Sequence, residues 1–174
     1  MKRILDTVHG YIMVSDELIK NIIDTPAFQR LRRIEQTSIR SVYPSARHDR
    51  FIHSLGVYHI GSLIVDHLRK EEEANDYWGE TANNMSVIYN SYLVACLLHD
   101  VGHAPFSHTF EHYYGQKKEL AKILENEVNT ENFKNDLQYV RELDEPNFHE
   151  YVSAYIAHHE FGEAILRMYL EPYN

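Results

Sequence analysis

A chain of 174 residues with 44% apolar and 25% charged side chains is long enough for one sizeable core and has the balance of a globular domain. Its net charge of -9 argues against broad binding to nucleic acid or anionic membrane, and its single cysteine excludes an internal disulfide. No apolar run approaches the ~20 residues of a membrane span, and the opening "MKRILDTVHG" lacks a secretory core, so a cytoplasmic protein is expected.

Residues 4–16, "ILDTVHGYIMVSD", place apolar residues around His9-Gly10 and predict a small β-hairpin. Ser15 then reads as the N-cap of a helix with acidic residues in its first turn. Asp24-Thr25-Pro26 restarts the helix, with Pro26 in a first-turn position and Phe28, Leu31 and Ile34 at helical spacing. Residues 37–50 read as a loop broken by Pro44. Residues 51–73 predict a long helix with Ile52, Leu55, Ile60, Leu63, Ile64 and Leu68 on one buried stripe. A polar connection over 71–84 leads to a helix over 86–103 that is apolar nearly all round and is therefore placed centrally, with Cys96 as a small buried hydrophobe. Residues 105–115 read as a loop or short helix and 116–128 as an amphipathic helix. Residues 129–147 receive no assignment, and 148–170 form a last helix. The expected fold is mainly α-helical, stacked around the 86–103 helix, with a small N-terminal β-hairpin.

Two features carry chemistry. Arg30, Arg32, Arg33, Arg40, Arg47 and Arg50 fall in one stretch opposed only by Glu35 and Asp49, which suits a small polyanion such as a nucleotide. Twelve histidines are many for this length, and histidine is both a metal ligand and a proton carrier. The apolar helix ends in His99-Asp100, and a buried polar pair is costly unless something satisfies it. Neighbours on a helix point about 100° apart, so the two share one metal only where the helix frays or the ion lies near its edge. A metal needs more than two ligands. His53, near the start of the long helix and followed by Ser54 and by Gly56, where a small residue permits close approach, is the best third. Against this stands the plainer reading of His53 and His99 as hydrogen-bonded core histidines, and of Arg50 as the surface partner of Asp49.

"HDRFIHSLGV" followed by "LLHDVGHAPFSH" resembles the HD-domain metal-dependent phosphohydrolases, most closely the deoxynucleoside triphosphate triphosphohydrolase branch with its SAM-and-HD-domain and bacterial dGTPase-like members. The likeness extends back through "IIDTPAFQRLRRIEQ" and "DTVHGYI", covering roughly residues 4–112, and weakly includes His149-Glu150. It implies an HD-domain helical bundle around a central divalent metal, one of Mn, Fe, Zn or Mg, held by His53, His99 and Asp100. The family's last ligand, a later Asp, has no counterpart in matching context before Asn174. Residues 1–174 are therefore expected to be a single HD domain lacking the C-terminal part of the family fold. Asp136, Asp144, His158, Glu160, water or a partner chain are the substitutes.

The resemblance also implies roles. His108 donates the proton to a leaving 5′-oxygen, and Glu111, where the family usually has Asp, orients it. His103 contacts phosphate, and His149 is a further active-site histidine. Arg50 binds phosphates and Gln36 contacts the sugar. Asp24, Gln29 and Arg32 match residues that bind a regulatory nucleotide between subunits. The implied reaction converts a dNTP to a deoxynucleoside and triphosphate. Two alternatives stay open: the same fold acting on other nucleotides or single-stranded nucleic acid, and a catalytically incomplete subunit that binds a nucleotide or partner. A homo-oligomer or a companion chain completing the fold is expected, with "AILRMYLEPY" a candidate exposed apolar face.

Overall fold

The computed structural model describes residues 1–37, 42–43, 45–75, 82–114, 117–143 and 147–169. The chain is mainly helical with one N-terminal hairpin, as its sequence predicts. Strands β1 (Lys2–Asp6) and β2 (Gly10–Val14) pair antiparallel with Ile4 opposite Ile12. Gly10, at φ 73°, supplies the left-handed residue of the turn, and Asp6 Oδ2 accepts from the backbone N–H of Val8 (2.9 Å) and His9 (2.8 Å). Ile12 and Val14 face the core while Tyr11 and Met13 face solvent, the period-2 pattern of a strand covered on one side.

Ser15 Oγ accepts from Leu18 N at 3.1 Å and starts α1 (Asp16–Leu18). The chain then widens into a π-type turn over Ile19–Ile23, and Ile19, Ile22 and Ile23 all turn inward. Thr25 caps α2 (Pro26–Gln29), which tightens into a 3₁₀ turn over Arg30–Arg33. Phe28 and Leu31 are fully buried.

Helices α3 (Arg50–Asn75) and α4 (Ala82–Leu98) pack along one another. They approach closely at Gly61, where a Cβ would lie 2.9 Å from Cys96 Sγ. Gly56 serves a different approach from the helix contact its sequence suggests: a Cβ there would lie 2.8 Å from His9 Cε1, so it seats the hairpin turn on α3.

The expected buried stripe of α3 is corrected. Leu55 is buried, but Ile52, Ile60, Leu63, Ile64 and Leu68 are 40–52% exposed. The helix has two apolar faces, and the one bearing Phe51, Leu55, Tyr58 and Val65 is the one that is buried. Nor is α4 enclosed on all sides. It buries Tyr89, Val94, Leu97 and Leu98, leaves Ile88 and Tyr92 exposed, and keeps Cys96 half-buried.

A 3₁₀ turn (Ser107–Phe110) leads into α5 (Glu111–Tyr114), followed by α6 (Lys117–Val128), α7 (Glu131–Leu143) and α8 (Phe148–Tyr169). Helix α7 falls in the stretch left unassigned from sequence. Thr130 Oγ1 caps it by accepting from Phe133 N at 3.3 Å, and Phe133 and Leu137 pack toward Ala121, Leu124 and Tyr151. Helix α8 joins this small cluster to the main core, where Phe161 is buried. In "AILRMYLEPY", Ile165, Met168 and Tyr169 pack on the core and Leu166 is 51% exposed; residues 170–174, like Arg40, Pro44 and Asp144, lie outside the described residues.

The two faces of α3 are separable by mutation. Leu55→Ala should cost about 2–5 kcal/mol of unfolding free energy, whereas Leu63→Ala should stay within about 0.5 kcal/mol. Urea denaturation of both variants checks this, and equal costs would show that the outer face is covered in solution.

Candidate functional site

Helix α4 stops at Leu98, and residues 99–102 form turns. The N–H groups of Val101 and His103 donate to Leu98 O (3.0 Å) and Asp100 O (3.1 Å). The helix therefore ends before the position expected from sequence, which removes the 100° divergence between His99 and Asp100. Their side chains meet His53 from α3. His99 Nε2 lies 3.3 Å from His53 Nε2 and 3.4 Å from Asp100 Oδ2, and His53 Nε2 lies 3.5 Å from the same oxygen.

This triangle can be tested against a metal. Donors about 2.1 Å from an ion, at tetrahedral or octahedral angles, sit about 3.0–3.5 Å apart. The three atoms fit, so His53, His99 and Asp100 could hold a metal ion. Supporting contacts also suit ligands: His99 Nδ1 lies 2.9 Å from Cys96 O, which fixes the tautomer with Nε2 bare. Gln36 Nε2 lies 2.9 Å from His53 Nδ1.

Asp100 is the hub. Arg50 Nη1 donates to Asp100 Oδ2 at 2.6 Å, and Nη2 donates to Ser107 Oγ and to Gln36 O (3.3 Å). Both side chains of this ion pair are about 95% buried, so Arg50 is no surface partner of Asp49. Burial works against the Asp100 charge, but the imidazoles of His103 and His99 and the Arg50 guanidinium outweigh it and hold the carboxyl far below the usual range. Burial pushes His53 down, against the attraction of Asp100. The same burial opposes a charge on His99, yet its hydrogen bond to and attraction by Asp100 hold that ring up.

A second group adjoins the first. Glu111 Oε1 lies 2.8 Å from His149 Nδ1, 2.9 Å from His108 Nδ1 and 3.8 Å from His103 Nδ1. The rings of His103 and His149 stack with centroids 3.8 Å apart. His103 is fully buried, and its Nε2 faces Asp100 Oδ1 at 3.3 Å without the alignment of a hydrogen bond. Burial pushes its imidazole down. His103 thus stands between the two carboxylates, covered from solvent, whereas the His108 side chain is 59% exposed. Phe106 and Ser107, at φ 68° and 54°, make the left-handed turn that delivers Ser107 to Arg50 and His108 to Glu111.

The 101–103 turn is pinned from two sides. Gly102 N donates to Ser153 Oγ at 2.9 Å, and a Cβ on Gly102 would lie 2.3 Å from Ser153 N and 2.5 Å from His149 O. Only glycine fits there, because α8 backbone fills the space. On the other side Arg30 donates to the carbonyls of His103 (2.6 Å) and Val101. Sequence reasoning gave Arg30 no individual role, since nothing in a run of arginines marks the one that turns inward.

A cavity of about 670 Å³ opens beside His53, lined among others by His9, Gln36, His48, Ile60 and Tyr92. Arg47 also lines it. The remaining sequence candidates lie apart from the two groups. Gln29 accepts from Arg32 Nε at 2.8 Å and donates to Ile23 O at 2.7 Å, Arg32 stacks over the Phe51 ring at 3.6 Å, and Asp24 is exposed. Asp136, His158 and Glu160 are exposed on α7 and α8, outside both groups.

The HD domain family model matches residues 50–172, and the chain belongs to that family. It is 44% identical over 107 residues to the Bacillus subtilis protein YwfO, which is uncharacterised, covering 61% of this chain and 23% of that protein. It is 40% identical over 133 residues to the uncharacterised Methanocaldococcus jannaschii protein MJ1154, covering 72% of this chain and 26% of that protein. It is also 41% identical over 115 residues to the human deoxynucleoside triphosphate triphosphohydrolase SAMHD1, covering 64% of this chain and 17% of that protein. The chain thus spans about a quarter or less of the length of these relatives. Among the described residues, no helix is long and apolar enough to cross a membrane.

The buried ion pair makes a prediction independent of any metal. Asp100→Ala should cost about 3–5 kcal/mol, because it leaves the Arg50 guanidinium buried without its carboxylate. The double variant Asp100→Ala/Arg50→Ala should lose less than the sum of the two single losses, by about 1 kcal/mol or more. Urea denaturation in the presence of a chelator checks the cycle, and additive losses would rule the coupling out.

Proposed function

We propose that the chain is a metal-dependent nucleotide phosphohydrolase that converts a dNTP to a deoxynucleoside and triphosphate. The observation that carries this is the His53, His99 and Asp100 triangle, spaced for one ion, in a chain of the HD domain family. The deoxynucleoside triphosphate triphosphohydrolase activity named for its SAMHD1 relatives supports the choice of substrate. A divalent metal on these three residues would supply Lewis-acid polarisation of a phosphoryl oxygen.

The other residues divide the remaining work. Water attacks the α-phosphorus and gives up a proton to solvent as the new P–O bond forms, and the bond from that phosphorus to the 5′-oxygen breaks. The 5′-oxygen takes a proton from His108, whose Nδ1 is fixed by Glu111 and whose ring reaches solvent. Glu111 also holds His149 at the same oxygen, which fixes the two rings relative to one another. Buried His103 positions the carboxylates on either side of it rather than meeting the substrate directly. Arg50 holds Asp100 in place and keeps one guanidinium edge, Nε, unpartnered among the described residues. Gln36 faces the cavity beside His53, where a sugar would lie, and Arg47 and His48 line the same cavity, where their N–H groups would meet phosphate. Asp24, Gln29 and Arg32 are the residues for a regulatory nucleotide. A cytoplasmic setting, where dNTPs are found, fits this activity.

A second reading has its own observation. Among the described residues the metal group has three protein donors, and the outer face of α3 is apolar and exposed. A subunit that binds nucleotides and gains its last ligand from a companion or second copy would show both.

Incubation of the purified chain with each dNTP and NTP, with Mn²⁺, Mg²⁺ or no added metal, followed by chromatography, separates the readings. Nucleoside plus intact triphosphate is expected, and His99→Ala should abolish both metal content and turnover. Orthophosphate or a nucleoside monophosphate would move the assignment to another HD-type reaction. Binding without turnover under every metal would favour the incomplete subunit.

A further inference from the structure

Arg30 is half-buried in a turn whose other two arginines, Arg32 and Arg33, are exposed. Its guanidinium hydrogen bonds go to two backbone carbonyls, those of Val101 and His103, which flank Gly102. Burial pushes its guanidinium down, and these two acceptors compensate the lost hydration. A fork of two N–H groups can span carbonyls two residues apart, and an ammonium cannot hold both in one geometry.

We propose that Arg30 is a positioning residue: by clamping the backbone of residues 101–103 it fixes the distance between the His53, His99 and Asp100 group and the His103, His108, Glu111 and His149 group. The 101–103 segment is the only backbone step from Asp100 to His103. On its far side Ser153 Oγ and the α8 backbone press against Gly102. Arg30 closes the near side, so the turn is held between the 3₁₀ turn after α2 and helix α8. Asp100 keeps its 3.4–3.5 Å separations from His99 and His53, and His103 keeps its place between two carboxylates. Release of the clamp moves Asp100 relative to the two imidazoles, and a shift of a few tenths of an ångström is enough to spoil a three-atom site.

The inference rests on the metal reading above, and Co²⁺ as probe separates the two. Metal-free thermal unfolding, Co²⁺ affinity and the visible Co²⁺ spectrum are measured for the full chain, Arg30→Lys, Arg30→Met and the exposed neighbour Arg33→Ala. Arg30→Lys keeps the charge and loses the fork. It is expected to unfold cooperatively without metal, bind Co²⁺ at least tenfold more weakly and show a shifted visible band, while Arg33→Ala matches the unsubstituted chain. Lowered metal-free stability with unchanged Co²⁺ affinity and spectrum would overturn the positioning role and leave the metal reading standing. Failure of both Arg30 variants to fold would assign the residue to the fold instead. Absence of Co²⁺ binding by the unsubstituted chain would remove both.

Discussion

The structure turns on one buried carboxylate. Asp100 sits among a guanidinium and three imidazoles, in a place where an isolated charge would be prohibitively costly. The partners come from two separate stretches of the chain. Arg50 and His53 stand at the start of α3, His99 follows the end of α4, and His103 lies in the next turn. Keeping that charge satisfied therefore fixes the relative placement of the two main helices and of the turn between α4 and α5. The apolar core beneath, from Phe28 and Leu31 to Leu97 and Val101, supplies the bulk of the stability, but the polar cluster sets the register.

Much of this was legible from residue order. The hairpin, the Ser15 cap, the helix restart at Asp24-Thr25-Pro26, the long 51–73 helix and the grouping of His53 with His99-Asp100 follow from local pattern and from the two motif blocks. What escaped was long-range. A pattern of apolar residues on α3 does not say which of two faces is covered, because coverage depends on where the hairpin and α4 pack. Helix α7 carries a readable signal in the Thr130 cap and the Phe133/Leu137 spacing, yet its polar composition obscures it. The partner of Arg50 lies fifty residues away and could not be told from a nearby acid.

The two side-chain groups differ in their access to water, and that difference divides their chemistry. Asp100 and His103 are enclosed, so their interactions are strong and fixed. His108 and His99 reach toward solvent, where a ligand can meet them. A single buried imidazole, His103, connects the enclosed and the accessible sides without facing solvent itself. An enclosed interior presenting only a few accessible edges is the arrangement that keeps a reacting group oriented while leaving room for exchange.

The left-handed turn at Phe106 and Ser107 carries a conflict between backbone and side chain. Glycine would adopt φ 54° at position 107 more easily than serine, yet glycine has no hydroxyl to receive the Arg50 guanidinium. The position is thus held at a residue that is conformationally second best. Drift toward glycine relaxes the loop but takes one acceptor from a buried cation that is left with Asp100 and Gln36 O, and drift toward a bulkier residue without a hydroxyl loses that acceptor and keeps the strain. Sequence freedom at this surface-adjacent turn is consequently as narrow as in the core, for reasons that have nothing to do with packing.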